Sequence, residues 1–241
     1  MNWLFINKVY VEWDRISENS YLRQIESLHN LEELEFDNPV TFFAGENGSG
    51  KSTLLEAMAV AYGFNPEGGT RNYSFSTYDS HSELHEAIRL SRGPKRSSYG
   101  YFLRAESFYN VATKENEYAQ ETDPRYAKHF HEKSHGESFL SLINTEFRGN
   151  SLYFLDEPEA ALSPQRQLSL LLAIHRCIRD GTQFFIVTHS PILLGFPGAK
   201  ILSFDDGFIH ECAYEDTGSY QIMEMFLHNR DQLLRHLFEE D

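Results

Sequence analysis

The sequence predicts an α/β fold with a largely parallel central sheet. Short apolar runs of strand type, at residues 40–44, 152–155 and 184–188, are separated by segments in which apolar residues recur at helical spacing. A glycine-rich loop joins the first run to a helix, and two carboxylates directly follow the second run. Strands that alternate with helices favour parallel pairing, because each helix returns the chain to the same end of the sheet.

The length and composition agree with one folded domain. The chain has 241 residues, of which 41% are hydrophobic and 24% are charged, close to globular averages. We expect a single domain over residues 1–241, with a core formed by 1–63 and 150–241 and an irregular, helical lobe over about 64–149. The net charge of −15 argues against a protein that coats nucleic acid with its whole surface, because phosphate neutralisation requires Lys and Arg.

The sequence favours a cytoplasmic protein that does not enter a membrane. Its apolar runs are only a few residues long, whereas a spanning helix needs roughly 20 apolar residues. The N-terminus lacks the basic stretch and cleavage site of a secretory signal. Cys177 and Cys212 stand apart from each other, which fits a reducing compartment and offers no metal framework.

Local patterns predict the elements of the first half of the chain. Residues 3–13 are rich in aromatic and β-branched residues, which indicates one or two strands at a sheet edge. The polar segment 14–38 is interpreted as helix or loop. Helical spacing over 54–62 predicts the helix that follows the glycine loop. A capping-box pattern at 80–83 predicts a second helix, which continues over 84–92 and ends at a Gly-Pro pair.

The second half continues the alternation. We expect a core strand at 101–103, a helix over 136–147, and a helix that Ser163 and Pro164 begin and Gly181 ends. Residues 201–210, which contain an Asp-Asp-Gly turn, predict a β-hairpin. Two short helices are expected at the C-terminus.

The glycine loop carries the first chemical signal. Gly45-x4-Gly50-Lys51-Ser52 matches the phosphate-binding pattern G-x-x-x-x-G-K-[ST] between a strand and a helix. Glycines let successive N–H groups point at phosphate oxygens, and the helix N-terminus adds positive potential. Lys51 is predicted to reach the β- and γ-phosphates, with its amine facing solvent when no ligand is bound, and Ser52 to ligate Mg²⁺. The alternative is a coincidental glycine-rich turn. The predicted nucleotide contacts are Glu46, Asn47, Gly48, Ser49, Gly50, Lys51, Ser52 and Thr53.

The second signal is a pair of carboxylates after a core strand. Asp156 and Glu157 directly follow four apolar residues, a costly arrangement unless the charges meet a cation at the strand's end. Asp156 is predicted to hold Mg²⁺, and Glu157 to polarise the attacking water. The alternative is an acidic turn that caps the strand.

His189 follows the third core strand in the same layout. Parallel strands end at the same edge of a sheet, which brings this histidine close to the carboxylates and the loop. We interpret it as a sensor of the γ-phosphate. The alternative is a histidine that caps a helix.

Together these motifs resemble those of the ATP-binding-cassette (ABC-type) ATPases. Residues 45–52, 134–137, 152–162 and His189 are similar in order and spacing to Walker A, the signature, Walker B with the D-loop, and the switch histidine. Over residues 3–238 the chain resembles the small stand-alone bacterial ATPases related to the SMC-like DNA-repair branch. The stretches that carry this finer resemblance are 102–110, 134–139 and 156–163. The resemblance implies a P-loop NTPase head with N-terminal antiparallel strands, a helical signature lobe, and ATP and Mg²⁺ as cofactors.

The resemblance also implies an active site divided between two chains. Ser134, His135, Gly136 and Glu137 correspond to the family's LSGGQ signature, without its first glycine and with Glu in place of Gln. In the family this segment faces the γ-phosphate held by the partner's Walker A. The alternative is a capping box between Ser134 and Glu137. Glu106 stands where the family has its Q-loop glutamine, which makes it a further candidate Mg²⁺ ligand.

The densest positive segment of this acidic chain runs from 89 to 104. Its cations are Arg89, Arg92, Lys95, Arg96 and Arg104. One interpretation is a solvated helix face followed by a basic tail. The other is a patch that docks DNA or a protein partner.

We predict Mg²⁺-dependent ATP binding and hydrolysis that drives formation of an ATP-sandwiched homodimer, with Lys51, Glu157 and His189 as catalytic residues. The dimer is expected to act as a switch for a DNA-related or defence-related partner, such as a nuclease, a toxin or a repair factor. One alternative is a nucleotide-gated scaffold with little turnover that recruits a nuclease or toxin. The other is the nucleotide-binding subunit of a transporter, against which the degenerate signature argues.

Overall fold

The structure, a computed structural model, describes residues 3–71, 82–104, 141, 143 and 145–239. The predicted signature residues Ser134, His135, Gly136 and Glu137 lie outside these residues, as does Glu106. The predicted helix over 136–147 is described at 141, 143 and 145–147, of which 141, 143, 145 and 146 are helical and 147 is not. Within the described chain, no helix has both the length and the apolar character needed to cross a membrane.

The described chain forms strands and helices in alternation. The strands are β1 Ile6–Val11, β2 Glu33–Glu35, β3 Val40–Ala44, β4 Gly69–Thr70, β5 Ile88–Arg92, β6 Tyr99–Arg104, β7 Ser151–Asp156, β8 Gln183–Val187, β9 Lys200–Ser203 and β10 His210–Glu211. The helices are α1 Glu26–His29, α2 Lys51–Tyr62, α3 Leu84–Ala87, α4 Pro164–Arg179, α5 Pro191–Leu194 and α6 Gly218–Glu239. Short 3₁₀ turns lie at Trp13–Arg15, Tyr21–Gln24, Pro158–Ala161 and Tyr214–Asp216.

The main sheet has the strand order β10-β9-β3-β8-β7-β6-β4. The five central strands, from β9 to β6, pair in parallel, and an antiparallel strand lies at each edge. A second, antiparallel sheet has the order β2-β1-β5. The predicted fold class, a largely parallel central sheet with N-terminal antiparallel strands, is confirmed.

Two apolar cores cover the two faces of the main sheet. Along β7, Leu152 and Phe154 belong to one core, and Tyr153 and Leu155 to the other, because successive strand residues point to opposite faces. The first core includes α2 and the small antiparallel sheet, and the second includes α4. Apolar burial on both faces explains why the central strands are continuous apolar runs. The polar residues that follow these strands therefore lie at the sheet's carboxyl edge.

The predicted helix over 84–92 is wrong beyond its first turn. The helix α3 ends at Ala87, and the chain continues as β5, in which Leu90 pairs with Val9 of β1. Ile88 and Leu90 pack against the core while Arg89 is exposed, which is the two-residue period of a strand. The pairing also places β1 in the centre of the small sheet, and not at an edge as expected.

Two predictions for the C-terminal part are confirmed. In the hairpin, β9 and β10 pair antiparallel, with Ser203 opposite His210. The two expected helices are the two parts of α6, which are separated by a kink at Asn229, where φ −129° and ψ 30° are not helical.

Candidate functional site

The glycine loop spans the six residues between β3 and α2. Gly45 and Gly50 have φ values of +137° and +95°, which side-chain-bearing residues rarely adopt. Their surroundings are also tight. A Cβ at Gly45 would lie 2.9 Å from Asp205 Oδ1, and one at Gly50 would lie 2.8 Å from Ile25 Cγ2, so the neighbouring side chain would have to shift. Glycine is therefore favoured at both positions, chiefly by the backbone conformation.

Lys51 begins α2 and folds back over the loop. Its Nζ donates hydrogen bonds to the carbonyl oxygens of Gly45 and Glu46, at 2.8 and 2.6 Å. The residue is only 4% exposed, so the expectation that its amine faces solvent is wrong. Burial lowers the pKa of Lys51, while nearby carboxylates, of which Asp205 has the largest effect, oppose that shift. The amine therefore lies against the backbone of the glycine loop.

Ser52 and Asp156 meet although 104 residues separate them in sequence. The Ser52 hydroxyl donates to Asp156 Oδ1 at 2.7 Å. Ser52 lies in the first turn of α2 and Asp156 ends β7, so the parallel sheet brings them together. A hydroxyl and a carboxylate are hard oxygen donors that suit Mg²⁺, which usually takes few protein ligands and completes its shell with phosphates and water. The donor set therefore fits the ion that the sequence implies.

Glu157 and His189 face each other at the ends of β7 and β8. Glu157 adopts a left-handed conformation, with φ +47°, and its N–H donates to Val187 O at 3.0 Å. A non-glycine residue in that region costs of order 1–3 kcal/mol and is found mainly at functional sites. Glu157 Oε1 lies 3.9 Å from His189 Nε2, and this nitrogen has no hydrogen-bond partner among the described residues. A ligand oxygen beside His189 would satisfy the nitrogen.

Sequence reasoning gave no role to Glu159, which orients His189. Its Oε1 accepts a hydrogen bond from the His189 backbone N–H at 2.6 Å, and its buried Oε2 has no partner among the described residues. Burial raises the pKa of Glu159, and the hydrogen bond from His189 opposes that rise. The available signal was a second glutamate two residues after Glu157, in the turn that follows the strand.

Asp205 was also missed. It follows β9 at the same sheet edge, where its Oδ1 accepts the Glu46 N–H at 2.9 Å. The carboxylate thereby holds the start of the loop and contributes to the negative field around Lys51. The signal in the sequence is an Asp pair after a core strand, a pattern that by itself predicts only a hairpin turn.

A cavity of about 530 Å³ lies beside the loop. Asn47, Gly48 and Ser49 border it on one side, and Tyr21 and Ile25 on the other. Tyr21 is 55% exposed, so its ring is available to a planar ligand. The volume suits a nucleoside.

A parallel sheet with this loop, this Lys-Ser pair and this carboxylate after a core strand defines the class of P-loop nucleotide-binding domains. The chain belongs to the AAA_23 family of AAA domains, whose family model matches residues 21–167. The predicted membership of the ABC-type ATPase superfamily is confirmed.

Known relatives and structures cover most of the chain. The chain is 26% identical to the hemin import ATP-binding protein HmuV of Pseudomonas aeruginosa over 186 residues, which cover 69% of this chain and 72% of the relative. Among solved structures, cbiO1 from Clostridium perfringens, part of the ABC transporter complex cbiONQ, is 15% identical. That match covers 98% of this chain and 99% of cbiO1, with a TM-score of 0.47. The SMC head domain from Thermotoga maritima is 14% identical, with 87% of this chain and 98% of that chain covered and a TM-score of 0.44.

Proposed function

We propose that this chain binds Mg²⁺-ATP and hydrolyses it between two copies of itself. The observation that carries the proposal is the 2.7 Å contact between Ser52 and Asp156, one residue from Lys51 on one side and one residue from Glu157 on the other. Phosphate binding, metal ligation and activation of water need these groups within one small volume. The described fold brings them there from separate elements.

In this proposal the loop N–H groups and Lys51 bind the β- and γ-phosphates, after Lys51 exchanges the loop carbonyls for phosphate oxygens. Ser52 and Asp156 hold Mg²⁺, which neutralises phosphate charge when bound. Glu157 accepts a proton from a water whose oxygen bonds to the γ-phosphorus as the bond to the β-phosphate oxygen breaks. ADP, inorganic phosphate and one proton leave. His189 Nε2 donates to a γ-phosphate oxygen, and Tyr21 stacks on the base.

The dimer is part of the proposal because the described site is open. The Glu157 and His189 side chains are 44% and 38% exposed, whereas phosphoryl transfer is favoured where water is excluded. A second copy that presents Ser134 and Gly136 to the γ-phosphate would cover this side. As part of the same proposal the protein works in the cytoplasm and switches a partner such as a nuclease, a toxin or a repair factor.

Phosphate release by the purified chain tests the enzyme. We expect Mg²⁺-dependent release in the wild type and a loss of about 100-fold or more in Lys51→Ala, because a group that stabilises transferring charge is removed. Lys8→Ala makes the same chemical change at a remote ion pair and should retain full activity. The melting temperatures of wild type and Lys51→Ala are also compared, because the substitution removes two hydrogen bonds to loop carbonyls and a loss of activity must be separated from a loss of stability. Equal phosphate release by wild type and Lys51→Ala would contradict the proposed ATPase activity. ATP binding without phosphate release would favour the alternative function, a nucleotide-gated scaffold with little turnover.

A further inference from the structure

A second cavity lies at the opposite end of the loop helix α2. Its volume is about 650 Å³, and of the described residues that line it, four are cations and none is acidic. The described lining residues are Tyr62, Arg71, Arg92, Gly93, Pro94, Lys95, Arg96 and Ser97. This cationic pocket belongs to a chain whose net charge is −15.

The frame of the cationic pocket is fixed on the core. Tyr62, the last residue of α2, is 7% exposed, and its hydroxyl lies 3.1 Å from the buried Ser97 Oγ. Gly93 donates its N–H to Phe5 O at 3.0 Å, and a Cβ at this glycine would lie 1.8 Å from Leu4 O. The turn that carries Lys95 and Arg96 therefore packs directly on the N-terminal segment.

Within the part of the chain that the structure describes, the four cations have no carboxylate partner. The guanidinium carbons of Arg71 and Arg92 lie 5.7 and 4.7 Å from the centroid of the same Tyr62 ring, so two like charges are held close together. Among the described residues, no carboxylate forms an ion pair with Arg71, Arg92, Lys95 or Arg96. Like charges that are gathered without compensation repel each other, and a bound anion removes that cost.

Two other cations of the predicted basic patch are already neutralised. Arg89 lies 3.6 Å from Glu12 Oε1, and Arg104 lies 2.8 Å from Glu56 Oε2. Of the patch predicted over 89–104, Arg92, Lys95 and Arg96 line the cationic pocket, and Arg71, which lies outside the predicted patch, joins them.

We propose that the cationic pocket binds a phosphate-bearing ligand of about nucleotide size, at a site separate from the glycine loop. Guanidinium groups form paired hydrogen bonds with phosphate oxygens, and 650 Å³ lies within the range of small-ligand sites. The phosphate can belong to a free compound or to the end of a nucleic-acid strand. The 12 residues of α2 place the two sites about 18 Å apart. Arg92 also donates to Ala61 O in the last turn of α2 at 3.2 Å, which links the pocket to the loop helix.

The test uses the full chain with the glycine loop saturated by Mg²⁺-ADP. Lys95→Glu combined with Arg96→Glu is compared with wild type and with Arg230→Glu combined with Arg235→Glu. The second pair makes the same change in net charge on α6, outside the pocket. The probes are inorganic pyrophosphate, measured by calorimetry, and a fluorescent 12-nucleotide thymidine strand with a 5′-phosphate or a 5′-hydroxyl, measured by anisotropy.

We expect wild type and the α6 variant to bind at least one probe equally, and the pocket variant to bind it at least tenfold more weakly. Competition by pyrophosphate together with indifference to the 5′ group indicates a free phosphate compound as ligand. A preference for the 5′-phosphate indicates the end of a nucleic-acid strand as ligand. In that case the slope of log binding constant against log salt concentration should be smaller in magnitude by about 1.4 in the pocket variant, because two phosphate contacts are lost.

The proposal is overturned if wild type binds no probe at low salt, if the pocket variant binds within twofold of wild type, or if both double variants weaken equally. Should the pocket variant melt earlier than wild type, the Gln versions of both substitutions replace it. Phosphate release is measured on the same preparations, so failure of the ATPase proposal appears there and not in the probe binding.

Discussion

At the scale of single residues, the site depends on backbone N–H groups as much as on side-chain chemistry. Glu159 holds the His189 backbone, and Asp205 holds that of Glu46. Because each carboxylate accepts a backbone N–H, we expect both to act by positioning. A positioning residue differs from a reacting one in that a neutral isostere with the same acceptor oxygen preserves its effect.

Glu159 gives the first prediction. Glu159→Ala removes the acceptor for the His189 N–H, so we expect the turnover number to fall about tenfold with little change in KM, because His189 is displaced only relative to the reacting phosphate. Glu159→Gln keeps the acceptor oxygen and should retain most activity. Steady-state kinetics of both variants checks this, and equal losses in Ala and Gln would show that the charge itself is used.

The raised pKa of Glu159 also predicts that the stability of the protein depends on pH. Because the folded-state pKa of Glu159 is raised above its unfolded value, the native protein loses stability as pH rises from the unfolded pKa through the folded one. Glu159→Gln removes that loss. We expect the variant to melt above wild type at neutral pH, and the two melting temperatures to converge as pH falls toward the ordinary range of a glutamate. A constant difference at all pH values would contradict the raised pKa.

At the scale of elements, the sequence and the structure differ most at 84–92. Leu84, Ala87 and Ile88 satisfy a helical spacing, and only pairing with β1 decides that the chain extends after Ala87. Gly93 then follows a strand instead of ending a helix, and it packs against Leu4.

Gly93→Ala distinguishes the two folds. In the observed fold the added Cβ meets Leu4 O at 1.8 Å, so the strand must shift. We expect a loss of about 2 kcal/mol in the free energy of unfolding, which is a fall of about 4–8 °C in Tm for a chain of this size. Gly218→Ala adds the same methyl group where nothing lies within 4 Å and should change Tm little. An exposed glycine after a helix would tolerate Gly93→Ala equally well, so a neutral result would restore the helix.

The elements that carry the site were predictable because their signals are local. A buried strand followed by Gly45 to Ser52, or by Asp156 and Glu157, shows its chemistry and its element in one short window. The meeting of Ser52 with Asp156 followed from the rule that parallel strands end at one edge. Asp205 was not predictable in this way, because its partner is a backbone N–H 159 residues away. The Asp pair after β9 is visible in the sequence, but every residue other than proline has a backbone N–H, so the distant partner of Asp205 cannot be identified from residue type.

At the scale of the whole molecule, the exposure of the Glu157 and His189 side chains raises the question of whether a second chain completes the site. If the site is complete only between two chains, ATP binding and association are one equilibrium, and a variant that binds without hydrolysing should accumulate as a dimer. If one chain suffices for hydrolysis, the same variant should hydrolyse ATP more slowly and stay monomeric. Glu157→Gln suits this comparison because it keeps the size of the side chain and removes the group that accepts the proton.

We expect Glu157→Gln with Mg²⁺-ATP to elute as a dimer in size-exclusion chromatography with light scattering, and as a monomer with ADP. Loss of one negative charge beside the γ-phosphate favours the ATP-bound state further. Adding Ser134→Arg should return the protein to monomer, because the longer side chain would occupy the space of the partner's γ-phosphate. Lys8→Ala in the Glu157→Gln background is the control and should remain dimeric. A monomer at high protein concentration with ATP, or a dimer that ignores Ser134→Arg, would mean that the signature segment does not complete the partner's site.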